Sequence, residues 1–311
     1  MQSILNEDSI VFDEPHKRYL PGDSVSGYIF FNTPSSIRAR HLKVTCEGVA
    51  RTGWRNNEKR AEMKLFSEER TVWRALGKEK HIPAGENYYA FKFVLPKTSS
   101  PSFVGEFGSV EYQVKVSLSR WWWFNANASK PIIVAGKACI PRSLALSLKR
   151  FDFHDTVHFE TGGCLNIYGH IPLRFYALDS FPLVITVENR SPKNIPSLDF
   201  YMSRLSHYHA RAQDHLCDSA ERCRLDRDEK ERLNVKHSSK AIVHVELELN
   251  ILAMGRLTKQ FEVPCRRGGI VAPFNNSLIS MRYMMHVAIP RVFDLYPISG
   301  EIGKDEPEED A

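Results

Sequence analysis

Apolar and polar side chains alternate along much of this chain. Leu42-Lys43-Val44-Thr45-Cys46-Glu47, Phe91-Lys92-Phe93-Val94-Leu95 and Tyr112-Gln113-Val114-Lys115-Val116-Ser117-Leu118 put an apolar group at every second position, and Val243-His244-Val245-Glu246-Leu247-Glu248-Leu249 repeats the pattern in the second half. Successive side chains of an extended strand point to opposite faces, so a period of two predicts antiparallel strands with one face buried and one in water. Turn formers punctuate these runs: Pro21-Gly22-Asp23, Pro83-Ala84-Gly85-Glu86, Gly105-Glu106-Phe107-Gly108 and Arg190-Ser191-Pro192-Lys193. Many short strands with frequent turns predict an all-β protein built of sandwiches rather than an α/β layering.

The pattern breaks between 142 and 165. The strand-like Pro131-Ile132-Ile133-Val134 closes the first half, a return segment from Leu144 to Phe159 precedes Gly162-Gly163, and the second half opens with Ile171 to Val187. A chain of 311 residues is long enough for two domains that each bury a core. The expected division is a first sandwich over 1–142, a linker over 143–160, a second sandwich over 161–303 and an acidic tail over 304–311. Within the second half, Ala212 to Lys240 is dense in charge and interrupts the alternation, which predicts a long loop with a helical turn or two.

Composition, at 42% hydrophobic and 25% charged, is that of an ordinary globular protein and excludes a disordered one. No window holds the roughly 18 apolar residues that a membrane span needs. The opening MQSILNEDSIVFDEP is acidic and has no apolar core behind a basic patch, so no signal peptide is expected and the protein is expected to stay in the cell. Cys46, Cys139, Cys164, Cys217, Cys223 and Cys265 form no CxxC pair and read as free thiols of a reducing cytosol. Residues 1–150 carry 23 Lys and Arg against 14 Asp and Glu, whereas residues 151–311 carry 19 against 23. A basic first half suits an acidic partner such as phosphorylated tails or anionic lipid, and no nucleic-acid partner is expected.

Three motifs of the first half resemble one family, in its order and at its spacing. Tyr19-Leu20-Pro21-Gly22-Asp23-Ser24-Val25-Ser26-Gly27 is similar to the opening signature of arrestin N-terminal domains. His81 to Pro96 resembles the family's Pro-x-Gly turn followed by a strand ending in Leu-Pro. Ser99 to Tyr112 is similar to its Pro-Ser-Ser-Phe-x-Gly-x-x-Gly-x-x-x-Tyr stretch. In the second half, Val184 to Ser191 looks like the strand ending in Asn-x-Ser near the start of the arrestin C-terminal domain, and Ser280 to Gly303 resembles that domain's last two strands. The resemblance covers nearly the whole chain and is nearest to the arrestin-domain-containing (α-arrestin) branch. It implies two tandem immunoglobulin-like β-sandwich domains, the arrestin fold. It also implies a non-enzymatic adaptor, cytoplasmic and peripheral to the plasma membrane and endosomes, that binds receptor or transporter tails and directs their endocytosis, sorting or ubiquitination. The alternatives are a retromer-type endosomal sorting subunit, which shares the fold, and a β-sandwich enzyme. The chain contains no Pro-Pro pair, so any ubiquitin ligase is expected to be recruited by a route other than PPxY.

Candidate chemistry is sparse. No nucleophile elbow, phosphate-binding loop or dinucleotide fingerprint is present, and no catalytic residue, cofactor or metal is expected. The expected partner contacts are basic: Arg38, Arg40 and Lys43 on one stretch, Arg51, Arg55, Lys59 and Arg60 on another, since arginine's planar fork suits phosphate. The same residues also fit ordinary solvated edges that charge protects from aggregation. Trp121, Trp122 and Trp123 are adjacent, so at least one ring must face solvent on a strand. They read either as an aromatic anchor for a partner or an anionic membrane, or as rings that close a sandwich edge. Pro21, Gly22, Asp23, Gly27, Gly85, Gly105, Gly108 and Tyr112 read as turn and register residues. His207, His209, His215, Cys217 and Cys223 are zinc-type ligands at no standard finger spacing, in a charged loop. His154-Asp155-Thr156-Val157-His158 is only superficially zincin-like, because on a strand its two histidines lie about 13 Å apart.

Overall fold

A computed structural model describes residues 4–54, 59–76, 81–121, 125–136, 149–160, 162–175, 178–211, 223, 234–264 and 270–289, together with the backbone of 298–302. Two compact units divide the chain: Met1–Lys137 with His209–Asp214, and Ala138–Tyr208 with His215–Ala311. Among the described residues the α-helix is absent, and a 3-10 turn covers Glu7–Ser9. The all-β expectation holds.

The first unit strings together β1 (Ile10–Phe12), β2 (Arg18–Tyr19), β3 (Ser24–Thr33), β4 (Ile37–Trp54), β5 (Lys59–Arg74), β6 (His81–Ile82), β7 (Gly85–Val94), β8 (Phe103–Val104), β9 (Gly108–Arg120) and β10 (Ala126–Val134). They form a small sheet in the order β1-β3-β7 and a larger one in the order β2-β10-β9-β4-β5, with β6 beside β4 and β8 beside β9. The alternation legible in the sequence sets which side is core. Val25, Ile29, Phe91 and Phe93 of the small sheet and Leu42, Val44, Cys46, Val114, Val116 and Leu118 of the large one are all buried.

Backbone geometry explains the motif residues here. Gly22 sits at φ 91°, a conformation an L side chain rarely adopts. Its N–H donates to the Leu95 carbonyl, and the Asp23 carboxylate accepts from Leu20 N–H, so the 20–23 turn is tied to the end of β7. Gly27 faces β1 so closely that a Cβ would lie 2.1 Å from the Val11 carbonyl oxygen. Gly85 opens β7 at φ 97° after Pro83. Gly105 donates to the Gly108 carbonyl to close the β8–β9 hairpin. Tyr112 lies directly across from Gly48, and its ring occupies the space where a Gly48 side chain would be. Its hydroxyl donates to the Ser100 carbonyl at 2.6 Å, and burial pushes its pKa up to about 12.

The second unit contains β11 (Arg150–His158), β12 (Cys164–Pro172), β13 (Ser180–Arg190), β14 (Ile195–His209), β15 (Val235–Ile251), β16 (Arg256–Pro264), β17 (Phe274–Asn275), β18 (Ile279–Ala288) and β19 (Ile298–Ile302). One sheet runs β11-β12-β13-β16 and the other β15-β14-β18-β17, with β19 beside β18. Aromatic edges join their inner faces: Phe175 meets Phe181 of β13 at 5.5 Å and Tyr283 of β18 at 5.2 Å between ring centroids.

Two segments differ from the sequence reading. Arg150–His158, read as part of a linker, is strand β11, paired along its whole length with β12. The tie is invisible in sequence, because Phe153 covers Gly169 across the ladder. The second sandwich therefore begins structurally earlier than 161. Likewise Val235 to Lys240, read as loop, already belongs to β15, paired with β14. Its Lys236 and Lys240 stand among apolar positions too few to show a period. Trp122, Trp123 and Arg55 lie outside the described residues, as does most of the stretch from 212 to 233.

The Asn-x-Ser end of β13 has its own reason. Asn189 is buried, and its amide donates to the Lys193 and Leu252 carbonyls at 2.6 and 3.0 Å. Its side-chain oxygen accepts from Ser191 N–H and Ser191 Oγ. One side chain thus pins the β13–β14 turn to the β15–β16 turn.

Candidate partner-binding surface

On β4 the alternation turns Ala39 inward and leaves Arg38 and Arg40 exposed on the other face. β9 ends opposite, with Ala39 paired to Arg120, and this delivers the next residue, Trp121, to the arginines. The Trp121 indole N–H donates to the Ala39 carbonyl at 3.2 Å. The Arg40 guanidinium lies 4.7 Å and that of Arg38 5.6 Å from the ring centroid, within cation–π range. Trp121 remains 37% exposed, so it is neither a solvated anchor standing free nor a core ring. It is exposed on one side and held by cations.

The remaining basic residues are not equivalent. Lys43 is paired with Glu69 on β5. Arg51 is held between Glu62 at 2.9 Å and Glu111 at 3.0 Å. Lys59 and Arg60 lie at the far end of β5, opposite Trp54 and Gly53. Among the described residues no carboxylate engages Arg38 or Arg40. The structure therefore brings Arg38, Arg40 and Trp121 together and leaves Lys43, Arg51, Lys59 and Arg60 out of that group.

Two neighbours escaped the sequence reading. Register places Arg74 of β5 opposite His41, and His81 of β6 opposite Arg38. Both arrive from strands far away in sequence, and no local pattern marks them. The local field is positive: burial, then Lys43 and Arg74, with a smaller share from Arg40, lower the His41 pKa, against Glu69 pulling the other way. Its imidazole therefore stays neutral at neutral pH, and the corner's charge is carried by guanidinium groups.

β5 forms one end of the large sheet's order, and its outer positions, such as Glu62, Lys64, Glu68 and Arg70, are mostly charged. Register irregularities at Leu42/Lys43 and Gly48/Val49 further interrupt its ladder with β4. Both features protect an edge from unspecific pairing.

The sequence family described as arrestin (or S-antigen), N-terminal domain, matches residues 9–140. Those residues are similar to arrestin N-terminal domains. The chain is 27% identical over 148 residues to arrestin domain-containing protein 17 of Caenorhabditis elegans, covering 42% of this chain and 34% of that protein. It is 22% identical over 217 residues to arrestin domain-containing protein 15 of the same organism, covering 66% and 56%. With human arrestin domain-containing protein 4 it shares 25% identity over 208 residues, covering 60% and 49%. The matched segments thus span between a third and somewhat over half of these relatives' own lengths. The last two extend beyond the arrestin N-terminal domain into the second unit. All the turn and register residues of the first unit named above fall inside the matched residues 9–140, as do Arg38, Arg40 and Trp121. No helix among the described residues is long and apolar enough to cross a membrane.

Elsewhere, His154 and His158 stand on β11, with His154 stacked on Tyr168. His207, His209 and Cys223 converge, all three buried. His215 and Cys217 lie outside the described residues.

Proposed function

We propose that this chain is a non-enzymatic adaptor that grips cytoplasmic tails of membrane receptors or transporters and directs their endocytic trafficking, sorting or ubiquitination. The observation that carries this reading is the Arg38–Arg40–Trp121 corner of the arrestin domain. Two exposed guanidinium groups flank an indole, and among the described residues no carboxylate engages either of them. An acidic or phosphorylated tail segment supplies what that corner lacks: oxygens for two planar forks and a chain to lie against the ring. A ubiquitin ligase would be recruited by a route other than PPxY. The same corner is attracted to the anionic inner leaflet, with about 1 kcal/mol per arginine, which supports a peripheral position at plasma membrane and endosomes.

Proximity labelling in intact cells tests the reading by comparing the wild type with the double variant Arg38→Ala, Arg40→Ala. Receptors or transporters are expected to be labelled by the wild type and depleted severalfold in the double variant. Lys43→Ala is the control, because Glu69 already compensates Lys43, and it should leave the labelled set unchanged. A labelled set without membrane proteins, or one indifferent to the double variant, overturns the reading. Recovery of a stable retromer-like complex instead would favour the retromer-type sorting subunit.

A further inference from the structure

β14 ends in four consecutive buried residues, Ser206 to His209. His207 and His209 are two positions apart and so project from the same face of the strand. Cys223, from the segment that joins β14 to β15, comes to the same place. The ligand atoms of His207, His209 and Cys223 all lie within 4.8 Å of one another, and the residues are 6%, 2% and 2% exposed. From β15, His237 stacks on His207 with ring centroids 4.5 Å apart, and the two Nδ1 atoms are 2.9 Å apart, a hydrogen-bonded pair.

Cys223 is buried although its neighbours in sequence are mostly charged. Its stretch, Ala212 to Asn234, holds Asp214, Asp218, Glu221, Arg222, Arg224, Asp226, Arg227, Asp228, Glu229, Lys230, Glu231 and Arg232. Among the described residues Val235 is the apolar neighbour with which Cys223 clusters. Two imidazoles and a thiol gathered out of water make, by contrast, a donor set of the borderline-soft kind that zinc prefers.

We propose that His207, His209 and Cys223 bind one zinc-type divalent ion, which ties Cys223 to the end of β14. In a tetrahedral zinc site, ligand atoms stand roughly 3.4–3.6 Å apart, as follows from bond lengths of about 2.0–2.3 Å. Closing from the observed spread requires movement on the order of 1 Å, within reach of side-chain rotation. The Nδ1 bond to His237 orients the His207 ring and leaves Nε2 to the metal, as a second-shell partner does. Cys223 coordinates as thiolate, so binding one ion releases one proton to solvent, and the imidazoles bind neutral and release none. The fourth position is left to a solvent oxygen. All the groups belong to β14, β15 and the segment between them, and the inference is independent of the adaptor reading.

The test uses the full chain, purified with reductant and stripped of metal, and Co2+ alone as probe. One equivalent is expected to produce visible bands of tetrahedral cobalt and a near-ultraviolet thiolate-to-cobalt charge-transfer band, both displaced by Zn2+. Cys223→Ser should abolish the charge-transfer band, and His209→Asn should weaken binding at least tenfold. His237→Gln should weaken it roughly 10–100-fold as a positioning change. Circular dichroism of the metal-free variants must match metal-free wild type, and His209→Asn serves as the folded comparison should Cys223→Ser not fold. Absence of a charge-transfer band in the wild type, or its persistence in folded Cys223→Ser, overturns the proposal. So does an equal Co2+ affinity of wild type and His209→Asn.

Discussion

Replacing Asn189 by alanine tests whether one buried amide holds the turns of the second unit together. Asn189 is 1% exposed and makes four hydrogen bonds, two as donor and two as acceptor. The losses are unequal. Ser191 N–H is left buried without its acceptor, at a cost of about 1–3 kcal/mol. Ser191 Oγ can turn to the Lys193 carbonyl, 3.3 Å away, and loses little. The Lys193 and Leu252 carbonyls sit in exposed turns where water can replace the amide, so each costs only about 0.5–1 kcal/mol. The sum is about 3 kcal/mol. With a denaturant slope of about 2 kcal/mol per molar urea, the unfolding midpoint followed by far-ultraviolet circular dichroism should fall by about 1.5 M. Asn189→Asp keeps both acceptor bonds but faces two carbonyls with a carboxylate in place of a donor. It should be at least as damaging at neutral pH and should recover as acid protonates it. An alanine variant within about 0.5 kcal/mol of wild type would refute the claim that this residue, rather than strand pairing, pins the turns.

Other expectations follow from the first unit. Tyr112→Phe strands the Ser100 carbonyl and should cost about 1 kcal/mol, whereas Gly48→Val forces the Tyr112 ring from its place and should cost more, both read from urea midpoints. Burial raises the pKa of Glu47, but the hydrogen bond and charge of Lys115, helped by Gln113, outweigh it and hold the carboxyl below its ordinary value. A depressed folded pKa means that this contribution is present in full above the unfolded pKa and is lost as pH falls through the folded one. The stability gap between wild type and Glu47→Gln should therefore shrink in acid, as midpoints measured across pH would show. Burial, with Glu68 and Glu47 nearby, pushes the Cys46 thiol up to about 12. Iodoacetamide on the native protein, followed by peptide mapping, should modify the half-buried Cys164 well before Cys46.

Much of the architecture was written in local pattern. Period-two runs such as Leu42 to Glu47 and Tyr112 to Leu118 are strands because one face of each had to be buried, and no helix presents such a stripe. Turn chemistry was equally local: Gly22 and Gly85 stand where the chain needs positive φ, and Asp23 stands where a carboxylate can accept from the turn backbone. Residues 19–27 and 99–112 therefore carried the resemblance to arrestin N-terminal domains that the match over 9–140 repeats, since the requirements of a tight turn or a close strand crossing restrict residue choice wherever they recur.

Only the tertiary structure decided what depends on partners distant in the chain. Arg150–His158 became a strand through Phe153 over Gly169, a contact between residues that carry no mutual signature in sequence. The basic residues looked alike along the chain, yet Glu69 compensates Lys43, Glu62 and Glu111 compensate Arg51, and Trp121 receives Arg38 and Arg40. His207, His209 and Cys223 read as ligand types in a charged loop, and only the fold put His207 and His209 on β14 and brought Cys223 and His237 to them. The physical reason is the same in each case: local pattern reports which face of an element is buried, whereas charge compensation and ligand geometry are set by cross-strand register, to which residues tens of positions apart contribute.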